Sequence, residues 1–143
     1  MAITSAICNS FKTQILTAIH NFTQGGNTFR IALYTSSATL NKSTTAYTTS
    51  NEVATASGYT AKGKALTSVT PVLSSDTAVC DFANVSWTSA SFTARGCLIF
   101  NDTASGDPSV CAIDFGGDKT VTSGTFTIEF PAASAGTAII GIA

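Results

Sequence analysis

Apolar side chains recur at Ile7, Phe11, Ile15, Ala18, Ile19 and Phe22, mostly three or four residues apart. That spacing is one face of an α-helix. With Thr4 or Ser5 as N-cap and Gly25-Gly26 as a stop, it predicts an amphipathic helix over 4–23. The opposite face carries Asn9, Lys12, Thr13, Gln14 and His20. The apolar face is expected to lie on the domain's own sheet, with docking on another subunit as the alternative.

After the glycines the pattern changes to strict alternation. Phe29, Ile31 and Leu33 alternate with Arg30, Ala32 and Tyr34, which predicts a strand over 29–35 with one buried face. Residues 36–64, SSATLNKSTTAYTTSNEVATASGYTAKGK, then hold few apolar side chains. The stretch is longer than an ordinary connection and reads as an exposed polar loop or arm, the main candidate for meeting a partner. Strand patterns fill 65–143: ALTSVTPVL, DTAVCDFANVSW, SFTARGCLIFND, VCAIDF, TFTIEF and a last GTAIIGIA. In SFTARGCLIFND the alternation puts Phe92, Ala94, Gly96 and Leu98 on one face and Thr93, Arg95, Cys97 and Ile99 on the other. DTASGDP is a wide hairpin loop, and GGDKTVTSG is expected to be a turn after a strand that stops at Phe115. Seven or eight strands with such punctuation predict one domain over 1–143, mainly β: an antiparallel β-sandwich or jelly-roll-like body with one N-terminal helix.

Composition changes this picture in one respect. Charged residues are 10% of the chain, against about 25% in an ordinary soluble domain, and the formal net charge is −1. Ser and Thr make the polar surface instead. Two lifestyles fit: a subunit packed against neighbours, or an extracellular β domain with a hydroxyl-rich face. The seven basic residues are scattered, so nucleic acid is not an expected partner. No window approaches the roughly 20 apolar residues of a membrane span, and MAITSAICNSFKTQILTAIH lacks the basic start of a signal peptide. The expectation is synthesis in a cytoplasm, without a membrane partner.

Candidate chemistry is sparse. Asp114-Phe115-Gly116 matches the magnesium-binding turn of protein kinases, but the chain has neither a G-x-G-x-x-G loop nor an H-R-D loop, and its one histidine is His20. No enzyme and no cofactor are expected. Asp102, Asp107, Asp114 and Asp118 fall around adjacent loops without the spacing of a calcium loop, and Asp is an ordinary turn residue. Cys8, Cys80, Cys97 and Cys111 lack the close pairs of a zinc site and read as small buried hydrophobes; Cys97 and Cys111 could face one another across a hairpin, while a cytoplasm favours reduced thiols. Trp87 lies in an alternating strand and reads as core. His20 reads as an exposed or interface side chain, and Tyr47 and Tyr59 as contact residues of the arm.

Taken in order, MAITSAICNSFKTQIL, GNTFRIALYTSSATL, the NEV…GYTAKGKAL arm, FTARGCLIF and DFGGDKTVTSGTFTI resemble small virion structural proteins of tailed bacteriophages, over nearly the whole chain. The resemblance implies a capsid cement (decoration) protein on the outer surface of the capsid lattice, made in the host bacterial cytoplasm. Its implied partners are the major capsid protein and copies of itself, as a homo-dimer or homo-trimer. The contact residues on this reading are Lys42, Tyr47, Glu52, Tyr59, Lys62 and Lys64 in the arm, with Lys12 and His20 on the helix. The alternatives are a tail, neck or fibre component with glycan binding as one role, and a non-viral carbohydrate-binding or adhesive β domain.

Overall fold

The computed structural model describes residues 2–143. Strands hold 49% of the chain and helix 6%, so the mainly β reading holds. In chain order the elements are β1 (Ala6–Ile7), α1 (Asn9–Leu16), β2 (Phe29–Tyr34), β3 (Lys64–Ala65), β4 (Ser68–Ser74), β5 (Thr77–Phe82), β6 (Val85–Asn101), β7 (Ser109–Ile128) and β8 (Ile140–Ile142). They form two antiparallel sheets, one of five strands in the order β1-β7-β6-β2-β3 and one of three in the order β4-β5-β8. Phe29, Ile31, Leu33, Cys97 and Ile99 of the first meet Cys80, Phe82 and Ile140 of the second in a single apolar core. Trp87 lies in that core, 1% exposed.

The helix is shorter than its apolar stripe. Residues 4–7 are drawn off by sheet pairing, Ala6 opposite Ala112 and Ile7 opposite Cys111, which leaves Cys8 at the N-cap without a side-chain capping bond to the helix. At the other end Ala18 takes a positive φ of 60°, and the Ile19 N–H returns to the Gln14 carbonyl at 3.1 Å. Phe22 still reaches the core, but from a loop, stacked on Phe29 at 4.2 Å between ring centroids. Helical spacing over six positions therefore marked Phe11 and Phe22 as buried and Ile7 and Ile15 as half-buried, but it misplaced the exposed Ala18 and Ile19 and overstated the element's length.

The DFGG stretch is not a turn between two strands but part of one long strand. β7 runs through it without a break, paired with β6 on both sides. Between the pairs Ala94–Lys119 and Gly96–Asp114, the single residue Arg95 faces Phe115, Gly116, Gly117 and Asp118. That is a wide bulge, with Gly116 at φ +80°, where an L side chain is disfavoured. The bulge exchanges the faces of β6. Ala94 and Phe92 lie on the same core as Cys97 and Ile99, while Leu98 and Phe100 point to the other side, so the uniform alternation expected along this strand is broken at Arg95. The hairpin loop itself is DTASGDP, as its composition indicated.

The polar stretch 36–64 is not a free arm. It crosses the outer face of the five-stranded sheet as a strap, with bridges Ile3–Leu40, Tyr34–Glu52 and Ala46–Pro108. Ala38 and Leu40 join Ile3, Ala32, Tyr34, Leu98, Phe100 and Ala112 in a second apolar cluster. The cause lies in the strands beneath it: FRIALY and CLIF are apolar on both faces, so a sheet built from them needs cover on both. The strap ends at Gly63, φ +60°, where a Cβ would stand 1.8 Å from the Ile31 carbonyl oxygen; only glycine lets the chain come this close.

Candidate interaction surface

Four of the residues expected at partner contacts meet one another instead. The Glu52 carboxylate accepts from the Tyr47 hydroxyl at 2.6 Å, the Tyr59 hydroxyl at 2.7 Å and the Lys62 backbone N–H at 2.8 Å. The Tyr59 oxygen in turn accepts from the Leu33 N–H at 2.8 Å. Lys62 Nζ reaches Asp102 and Asp107, each at 2.8 Å, and Arg30 donates to the Lys62 and Gly63 carbonyls. Burial, and after it Glu52, pushes the Tyr47 phenol up to about 12; burial likewise raises that of Tyr59. Both stay neutral donors at any ordinary pH. This cluster latches the strap to β2 and to the β6–β7 loop. Tyr59, 2% exposed, is a core residue and not a surface contact.

His20 is also corrected: it is buried, 5% exposed. Its Nδ1 accepts from Asn101 Nδ2 at 3.2 Å and Nε2 therefore donates to Gln14 Oε1 at 3.0 Å, which defines a neutral ring. Burial holds its pKa down at about 4. Lys12, Lys42 and Lys64 remain exposed and apart from the latch; Lys12 bonds Asn9 Oδ1 and Lys64 the Ser86 carbonyl. All four cysteines are buried and unpaired, and desolvation raises the thiols of Cys80 and Cys111 to about 12, which keeps them unreactive. Cys97 stands opposite Ile113 and Cys111 opposite Ile99, so the two are not partners across the hairpin.

The open surface lies at the other end of the molecule. A cleft of about 520 Å³ runs between the β6–β7 ribbon and the end of the chain, walled by Phe115, Phe126, Ile128, Phe130 and Ile139, with Lys119 and Glu129 also lining it. A smaller one, about 110 Å³, lies between α1 and the three-stranded sheet, walled by Ile15, Pro71, Ala78 and Ile142 among others. Among the described residues the exposed large apolar side chains are Leu16, Ile19, Val69, Val72, Leu73 and Ile142; every one belongs to α1 and the loop after it or to the three-stranded sheet. Outside the larger cleft, charge is nearly missing from this surface. Residues 65–84 contain Asp76 and the buried Asp81, residues 131–143 no charged side chain, and α1 Lys12 alone.

Such a surface can bury apolar area against a partner. Among the described residues no three His, Cys, Asp or Glu side chains are grouped to hold a metal, and no helix is long and apolar enough to cross a membrane. The polar-arm signal pointed away from this end. Leu16, Val72 and Leu73 were visible as apolar letters, but periodicity does not say which apolar residues a small sheet fails to cover. No protein family, curated protein or solved structure that was compared matches the chain.

Proposed function

We propose that this chain is a structural protein of a bacteriophage virion, and more narrowly a capsid cement protein that binds the outer surface of the capsid lattice. Its partners on this reading are the major capsid protein and further copies of itself. Many modest contacts repeated by symmetry then stabilise the shell through multivalency, with no single tight bond. The observation that supports the reading is the uneven distribution of apolar surface: the strapped face is covered and held by ion pairs, whereas the three-stranded sheet is apolar and almost uncharged, and the larger cleft is mainly apolar with Lys119 and Glu129 in its lining. Contiguous exposed apolar surface on a soluble domain marks a site of association. The stretch DFGGDKTVTSGTFTI, among the most telling parts of the phage resemblance, supplies Phe115, Lys119, Phe126 and Ile128 to the larger cleft. That cleft is the proposed contact with the shell.

The test is rebinding of the purified chain to phage particles assembled without it. The expected result is saturable, symmetric occupancy that a Phe115→Ser, Phe130→Ser double variant, still folded by circular dichroism, reduces at least about tenfold. Undiminished binding by that variant, or none by the unaltered chain, contradicts the reading.

A further inference from the structure

We infer that two copies of this chain pair about a two-fold axis across the smaller cleft, apolar end to apolar end. The walls of that cleft come from α1 (Phe11, Ile15), β4 (Pro71), β5 (Ala78) and β8 (Ile142). Two strongly exposed side chains continue these walls outward. Leu16, 86% exposed, follows Ile15 on the helix, and Leu73, 73% exposed, stands two residues beyond Pro71 on β4. Ile142 at 56% completes the patch from β8. Apolar surface that is exposed from the moment of folding favours a partner present wherever the chain is made, and another copy is the one such partner. Interfaces of this permanent kind are also the more hydrophobic ones.

Charge fixes the arrangement. The exposed charged side chains of α1 and the three-stranded sheet are Lys12 and Asp76, of opposite sign. Lys12 lies one helical turn before Leu16 and on the same side of the helix. Asp76 sits in the β4–β5 turn, three residues after Leu73. Among the described residues neither takes part in an ion pair. A two-fold axis through the patch sets the helix of each copy against the hairpin of the other, so Lys12 meets Asp76 twice while the leucines between them are buried. The same surface of both copies is used, as a closed dimer requires.

This inference deepens the proposed function, resting on its homo-oligomer, yet its test needs no capsid. Sedimentation velocity of the full chain over a range of concentrations should show a dimer. Leu16→Glu with Leu73→Glu should yield a monomer that keeps its fold by circular dichroism, since both side chains are exposed within one copy. Lys12→Glu or Asp76→Lys alone should weaken association by about tenfold, and the two together should restore it. A monomer at every concentration, a dimer indifferent to the leucine changes, or a charge-exchanged double variant no better than either single one would overturn the arrangement. A dimer that behaves as expected while particles stay undecorated would leave this inference standing and remove the capsid reading alone.

Discussion

The two sheets of this sandwich are built from similar letters and end in opposite conditions. In the five-stranded sheet Phe29, Ile31, Ala32, Leu33 and Tyr34 of β2 are all 0% exposed, because the core covers one face and the strap the other. Among the described residues the four ion pairs, between Arg30, Lys62, Arg95, Asp102, Asp107 and Asp114, all lie on that sheet, its strap or its hairpin loop. In the three-stranded sheet Val69, Val72, Leu73 and Ile142 stand in solvent. The difference teaches where fold and function divide. A region that satisfies its own apolar and polar groups holds the structure, and a region that leaves apolar area uncovered is the one free to meet a partner.

The largest contrast should appear in paired truncations. Phe29→Ala empties a fully buried site and should cost about 3–5 kcal/mol in chemical denaturation, whereas Val72→Ser, 52% exposed on the three-stranded sheet, should stay within about 0.5 kcal/mol. Equal costs would erase the distinction between the two sheets.

Acid sharpens it from the closed side. His20 is held neutral when folded, with its pKa down from 6.5 to about 4, so the unfolded chain takes the proton first. Its contribution is complete above pH 6.5 and lost as pH falls toward 4, by an amount on the order of 3 kcal/mol. Denaturation curves at several pH values between 6.5 and 4.5 should show this slope, and His20→Gln should flatten it. A slope unaltered in the variant would remove His20 from the account.

A smaller effect concerns the strap. Glu52→Gln turns an acceptor of three hydrogen bonds into a poorer one and should cost about 1–2 kcal/mol, with faster hydrogen exchange at Lys62 and Leu33. Unchanged exchange there would mean that burial of Leu40 and Ala38 alone holds the strap down.

Much of the closed side was legible in the sequence. The alternation at 29–35 located β2, the composition of DTASGDP located the hairpin loop, and Trp87 and the cysteines were read as buried. What escaped were effects of one strand on another. The bulge at Arg95 depends on how many residues of β7 oppose it, which neither strand reveals alone. The strap looked free because its own letters are polar; what holds it is the two-faced apolar character of β2 and β6, and the glutamate, tyrosines and lysine that seemed suited to a partner bind each other. His20 looked exposed from helical spacing, yet the helix ends at Leu16 and the chain turns His20 inward against Asn101. The open surface was hidden for the converse reason, since an apolar residue in a strand is expected to be covered.

The most direct test of the central claim is cryo-electron microscopy of phage particles that carry the chain, with particles lacking it as control. The account predicts added density in many symmetric copies on the outside of the capsid lattice, with the larger cleft on the β6–β7 ribbon turned to the shell, the smaller cleft at the three-stranded sheet turned to the neighbouring copy, and the strap facing solvent. Density confined to the tail or neck, or capsid density in which Leu16, Leu73 and Phe130 face solvent and the strap makes the contacts, would contradict it.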